Sequence, residues 1–199
     1  MAEHPAHPMV FGIGLSKTGT TSLAEALTIV GVPTIHLPDK GLMLAGRFSE
    51  ALAGYRGATD ISVSFCFEAL DAAYPGSRFV LTMRDRDTWI ESVEAHMHRR
   101  PWPERGTPAA ELRVRMYGTH LFERDRLLAA YDAFHSRVHR YFANRTAALA
   151  VMDIIGGQGW EVLCPFLGVS APPSAFPRRN ARAAPAGRDT RTGSTGCAA

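Results

Sequence analysis

Three observations predict an α/β protein, a three-layer sandwich around a mostly parallel central sheet. Short apolar runs suited to buried strands alternate with segments of helical spacing along nearly the whole chain, the pattern of helices covering a parallel sheet through right-handed crossovers. The first apolar run ends in a Gly/Ser/Thr-rich turn that feeds directly into a helix. At 199 residues, 46% hydrophobic and 21% charged, the chain can fill one core. It is too ordinary in composition for a collagen-like, disulfide-scaffold or wholly disordered protein.

The elements follow in order. Met9–Gly14 (MVFGIG) reads as a buried strand, Gly14–Thr21 (GLSKTGTT) as a loop, and Ser22–Val30 as a helix on the spacing of Leu23, Ala26, Leu27 and Val30. Gly31-Val32-Pro33 stops that helix, and Pro33–Leu37 is a second short strand. Gly41–Tyr55 is expected to be helical, Ala58–Ile61 a brief strand, and Ser64–Tyr74 a helix closed by Pro75-Gly76. Ser77–Met83 (SRFVLTM) is the strongest strand, with a helix from Asp87 to His98 behind it. His98–Pro108, rich in Pro and Arg, is expected as a surface loop and a candidate lid. Helical spacing resumes through Leu112, Met116, Leu121, Leu128, Tyr131, Phe134, Val138 and Phe142, leaving Ala147–Met152 as a strand and Gly159–Leu167 as the last helix. Residues 1–182 are expected to form one domain. Residues 183–199, with little left to bury, are expected to be a disordered tail.

The net charge of +3 is unevenly spread: Arg178–Ala199 holds five Arg against one Asp, so the body is close to neutral. A nucleic-acid-binding domain carries its basic face on the fold itself, and none is indicated here. Cys66, Cys164 and Cys197 are few, far apart and without a CxxC or Cys/His zinc spacing, which fits reduced thiols in a cytoplasm. Met1–Met9 is polar and has no apolar signal core, and no run approaches the length of a membrane span, so no membrane partner is expected. A homodimer is compatible with the sequence, which carries no code for oligomeric state.

Gly12–Ser22 (GIGLSKTGTTS) joins the first strand to the first helix. Its glycines let successive backbone N–H groups converge, the helix N-terminus adds about half a positive charge, and Lys17 a full one. Ser16, Thr18, Gly19, Thr20, Thr21 and Ser22 supply hydroxyl and backbone donors. The arrangement suits a phosphate or sulfate group. A Walker A kinase or NTPase loop would carry a second glycine where Ser16 stands.

Arg84 follows directly on the strongest strand, and Ser92 lies eight residues on, about two turns into the next helix. A guanidinium fork with a nearby hydroxyl can hold another phosphate. On this segment alone, Arg84 as an ion-pair partner of Asp85 or Asp87 is an equal alternative. Two anion sites at separate strand tips suit one ligand phosphorylated at two places.

These segments together resemble the sulfotransferases that use 3′-phosphoadenosine 5′-phosphosulfate (PAPS). GLSKTGTTS is similar to their 5′-phosphosulfate loop, and Arg84 with Ser92 to the arginine and serine of their 3′-phosphate motif. Tyr74–Leu81 (YPGSRFVL) continues the likeness, and Gly159–Val169 (GWEVLCPFLGV) resembles a short bacterial subgroup. The resemblance implies a P-loop NTPase-like sulfotransferase fold and a small-molecule acceptor carrying a hydroxyl or amine. It further implies PAPS as donor, PAP (the 3′,5′-bisphosphate) as product and no required metal. Lys17 would stabilise the leaving 5′-phosphate oxygen. The family often has a tryptophan, stacked on adenine, where Ser22 stands here, and an Arg-Lys-Gly segment that is absent; Arg179 and Arg182 are stand-in candidates for it.

Family members place a histidine or carboxylate at the position of the general base. Asp60, at a predicted strand end in Thr59-Asp60-Ile61-Ser62, is the first candidate and should be desolvated to raise its basicity; capping a turn or pairing with a cation is the alternative. His36, on the second strand, is the reserve. His135 and His139 share a helix face without a third metal ligand and are expected on a solvated face. Two other functions stay open: a kinase or NTPase using Lys17 and Asp153 with Mg²⁺, and a non-catalytic PAP-binding protein.

Overall fold

The computed structural model describes residues 8–99 and 103–179; Arg182, the 183–199 tail and the Pro101-Trp102 part of the candidate lid lie outside the described residues. Five strands form one sheet in the order β2-β3-β1-β4-β5, every pairing parallel: β1 (Val10–Gly14), β2 (Thr34–His36), β3 (Gly57–Thr59), β4 (Arg78–Thr82) and β5 (Leu149–Met152). The sheet is thus wholly rather than mostly parallel among the described residues.

Alternation along the strands sorts side chains between the two faces. Phe11, Ile13, Phe79 and Leu81 point into the larger core, packed by α4 (Ile61–Phe65), α5 (Phe67–Ala73), α6 (Arg86–Met97), α7 (Pro108–Tyr117) and α8 (Arg124–Tyr141). Val10, Val80 and Met152 point the other way, onto Leu23, Ala26 and Leu27 of α1 (Thr20–Ile29) and Leu163 of α9 (Trp160–Leu167). Helices therefore cover both faces, as the near-continuous apolar strands require.

Three expected elements are corrected. The helix foreseen over Gly41–Tyr55 is two short ones, α2 (Lys40–Leu44) and α3 (Phe48–Ala51), because Gly46 adopts φ 71° between them. The single long helical spacing after Leu112 is broken at Gly118, the left-handed C-cap of α7. His135 is buried rather than solvated: it falls on the same stripe of α8 as Leu127, Tyr131, Phe134 and Val138, and its Nδ1 lies 2.8 Å from the Tyr131 carbonyl. His139, one position further round, is exposed.

After β1 the chain runs outward to β2 and back to β3, then crosses β1 to reach β4. The order of strands reverses at β1, so the crevice beyond its carboxyl end is where an open parallel sheet binds ligands. Gly14, the last residue of β1, is in register with Thr82, the last of β4. A Cβ on Gly14 would sit 1.8 Å from Thr82 Oγ1, 2.6 Å from Thr18 Oγ1 and 2.9 Å from the Thr82 carbonyl oxygen. Gly14→Ala should therefore destabilise the fold by about 2–3 kcal/mol, the scale of core overpacking, read as a lower urea midpoint. An unchanged midpoint would mean that β1 and β4 are not so closely apposed.

Candidate active site

The loop from β1 to α1 is held from beneath by polar contacts that fix each of its inner groups. Ser64 Oγ, on α4, accepts from the Gly14 N–H at 2.9 Å and lies 2.7 Å from the Gly14 carbonyl. Thr18 Oγ1 donates to the Leu15 carbonyl at 2.7 Å, so at 2.6 Å it accepts from Thr82 Oγ1. Trp89, fully buried on α6, donates from Nε1 to the Ser16 carbonyl at 2.9 Å, and the Ser16 N–H faces Tyr117 Oη at 3.4 Å. The Thr18 hydroxyl, expected among donors to an anion, is used inside the loop instead.

From Ser16 to Thr20 only Lys17 (φ 75°) and Gly19 (φ 102°) are left-handed. Such alternation turns successive N–H groups toward one concave side, a nest for an anion. Helix α1 begins there with neither a side-chain cap nor an acidic residue in its first turn, so its leading N–H groups stay available to a ligand. Ser22 is buried and accepts the Arg179 N–H at 2.9 Å, while the Arg179 guanidinium pairs with Glu25, its Nη2 2.8 Å from Glu25 Oε1. Arg179 is thus brought to the start of α1, with its charge engaged by a carboxylate.

Arg84 stands beyond the end of β4, and its Nη1 lies 3.4 Å from the Lys17 carbonyl. The Tyr131 hydroxyl donates to the Arg84 carbonyl at 2.5 Å, and Arg84 Nε reaches Thr88 Oγ1 at 3.3 Å. Asp85 caps α6, its side chain accepting the Thr88 N–H at 3.0 Å. Ser92 is half-buried two turns along α6. The two cationic residues inferred from sequence therefore share one edge of the sheet.

On the other side of β1, Asp60 follows β3 directly with φ 148°. It is 6% exposed, and its Oδ2 has no hydrogen-bond partner among the described residues, although Lys40 Nζ lies 3.5 Å away. Burial with an unsatisfied oxygen is the state of a carboxylate able to accept a proton from a ligand. His36 ends β2; its Nδ1 is 2.8 Å from Thr59 Oγ1 and its Nε2 3.1 Å from Thr21 Oγ1. Burial lowers its pKa, and the nearby Asp60 only partly opposes this. Asp153 caps the turn after β5, accepting the Gly156 N–H at 2.7 Å. Burial pushes the Cys66 thiol up to about 11, which makes it inert as a nucleophile. Among the described residues no group of three or more His, Cys, Asp and Glu could hold a metal, and no helix is long and apolar enough to cross a membrane.

Sequence reasoning missed Trp89, Tyr117, Ser64, Thr82 and Lys40 as parts of this site. Their contacts join distant segments and leave no local motif. A groove of about 540 Å³ lined by Arg105, Glu111, Val114, Arg115 and His120 touches none of the residues above.

A family model described as a sulfotransferase domain matches residues 38–184. A protein of Aspergillus versicolor described as Ava biosynthesis cluster protein M is 24% identical, over 84% of this chain and 79% of its own. The crystal structure of a sulfotransferase from Alicyclobacillus acidocaldarius superposes with a TM-score of 0.56 at 18% identity, covering 90% of this chain and 87% of that one. At that identity the likeness is one of fold.

Trp89→Phe keeps an aromatic ring but removes the N–H to Ser16. It should cost about 1–2 kcal/mol, a buried hydrogen bond plus an unpaired carbonyl, measured by chemical denaturation. Stability equal to the wild type would show that the indole does not brace the loop.

Proposed function

The chain belongs to the sulfotransferase domain family, and we propose that it moves a sulfuryl group from PAPS to a hydroxyl or amine of a small acceptor. The observation that carries the donor assignment is the meeting of two cationic segments from adjacent strands: Arg84 Nη1 lies 3.4 Å from the carbonyl of Lys17. The left-handed alternation at Lys17 and Gly19 adds a concave set of backbone donors beside them. These residues fit a nucleotide with phosphates at two positions. Lys17, Thr20, Thr21 and the loop N–H groups would hold the 5′ end, and Arg84 with Ser92 the 3′ phosphate.

PAPS, when bound, supplies an activated sulfuryl group whose transfer calls for alignment and charge neutralisation more than for covalent catalysis. Lys17 neutralises charge at the leaving oxygen. Asp60 takes the acceptor's proton at its Oδ2, which has no hydrogen-bond partner among the described residues and lies 3.5 Å from Lys40 Nζ. Strand order puts the Lys17 loop between Arg84 on one side and Asp60 on the other. Donor and acceptor can therefore approach from opposite sides, as an in-line displacement needs. The kinase reading gains nothing from Asp153, whose carboxylate caps its own turn.

PAP should raise the melting temperature of the protein more than ATP–Mg²⁺ does, and Lys17→Ala should remove most of that shift. Stabilisation by ATP–Mg²⁺ alone would overturn the donor assignment. Asp60→Asn should lower sulfuryl transfer from labelled PAPS to a panel of phenols and alcohols by about 10²–10⁴-fold, with PAP binding retained. Undiminished transfer would remove Asp60 as the base.

A further inference from the structure

Hydrogen bonding around a neutral His36 ring has a self-consistent proton placement that starts from Thr59. Thr59 Oγ1 lies 3.2 Å from the Thr20 carbonyl, which can only accept, so the Thr59 hydroxyl donates there. His36 Nδ1 is 2.8 Å from that same Thr59 oxygen and in this placement brings the proton for the contact. A neutral ring protonated at Nδ1 carries a bare lone pair at Nε2, 3.1 Å from Thr21 Oγ1. The Thr21 hydroxyl then donates into the ring, and only its oxygen lone pairs remain for a ligand. In that state the residue opposes an anion rather than binding it.

A proton on Nε2 reverses the contact. Both ring nitrogens now donate, Thr21 Oγ1 accepts from Nε2, and its own proton is released toward a ligand oxygen. The charged groups acting on the ring are Asp60, beyond β3, which favours the imidazolium, and Lys40 on α2, which disfavours it; α1 faces it with Thr21. Burial outweighs the carboxylate and lowers the pKa, so the free protein favours the neutral ring.

We infer that His36 is a positioning residue that sets the direction of the Thr21 hydroxyl, and that binding of a phosphorylated nucleotide draws a proton from solvent onto its Nε2. The inference takes the β1–α1 loop as a nucleotide phosphate site, as proposed above. The proton balance is simple. One solvent proton bonds to Nε2, the Thr21 proton turns from Nε2 to a ligand oxygen, and no bond in the ligand breaks. His36 thereby passes from reserve base to part of the donor-side machinery.

The sign of the pH dependence follows by linkage. The anion raises the pKa of His36 in the complex above its value in the free protein, so affinity is highest below the free-state pKa. It falls as pH rises from that value to the bound-state pKa, and is level above it. The phosphates of PAP titrate near pH 6 themselves, so the comparison needs a variant that lacks the ring. His36→Gln keeps an amide N–H to offer Thr21 at every pH and supplies that baseline.

Calorimetry of PAP binding between pH 5.5 and 8.5, in buffers of different ionisation enthalpy, reads both affinity and protons taken up. Relative to His36→Gln, the wild type should lose about tenfold in affinity across the range, one pKa unit of coupling, and take up a further fraction of a proton near pH 7. Histidine ¹⁵N spectra of the wild type should show the Nδ1–H ring without PAP and the imidazolium with it, which needs no folded variant. Superimposable pH profiles, or a ring that stays neutral in the complex, would overturn the coupling alone. Failure of the wild type to bind PAP at any pH would overturn the nucleotide assignment and the coupling together.

Discussion

The site depends on a backbone constraint: the loop after β1 must aim its N–H groups outward while its inward polar groups find partners in a core that is otherwise apolar. Unpaired groups there would each cost about 1–3 kcal/mol, so the loop conformation is no stronger than its buried contacts. Ser64 meets both the N–H and the carbonyl of Gly14, Thr82 meets Thr18, and Trp89 meets Ser16. These partners come from α4, β4 and α6, so the loop is fastened to elements on both flanks of β1. The same α4 follows Asp60 directly. The position of the candidate base is thus tied to the position of the anion nest by one serine.

Charge is arranged along the sheet edge by strand order rather than by sequence proximity. Reading across from β4 to β2, the strand tips carry Arg84, Lys17, Asp60 and His36. Two cationic residues therefore come first along this edge, and one buried carboxylate follows with Lys40 at 3.5 Å. On the proposed reading, Arg84 and Lys17 attract an anionic donor, and Asp60 stands on the side from which the acceptor approaches. Such a division would let a carboxylate work near a polyanion without being its ligand, because the neighbouring cations would screen each from the other.

What was legible in the sequence is what a short stretch encodes by itself. GLSKTGTTS declares a loop between strand and helix because glycine, hydroxyl and lysine are contiguous, and Arg84 is conspicuous because it follows the strand with the strongest sequence signal. The roles of Thr18 and Trp89 were not legible, since an inward hydroxyl looks like an outward one until Thr82 is placed beside it. His36 was visible as a lone histidine and reserve base, without its partners. Its partners, Thr21 and Thr59, reach it because β2 and β3 run in register, with His36 opposite Thr59. His135 was misjudged for a related reason: helical spacing marks a stripe, and only packing against the sheet decides which edge of that stripe is covered.

Backbone strain marks the same edge independently of charge. Among the described residues, the non-glycine positions with positive φ are Lys17, Leu37 and Asp60, and each follows the carboxyl end of one of three adjacent strands, β1, β2 and β3. Left-handed or extended positive-φ geometry costs about 1–3 kcal/mol per residue and persists only where surrounding contacts impose it. A turn with no task beyond joining strand to helix could use glycine at each position and avoid that cost. Lysine and aspartate bring charges that glycine cannot, and Leu37 brings an exposed apolar side chain beside His36. The strain is therefore the consequence of requiring side chains at strand tips where the backbone has to turn sharply.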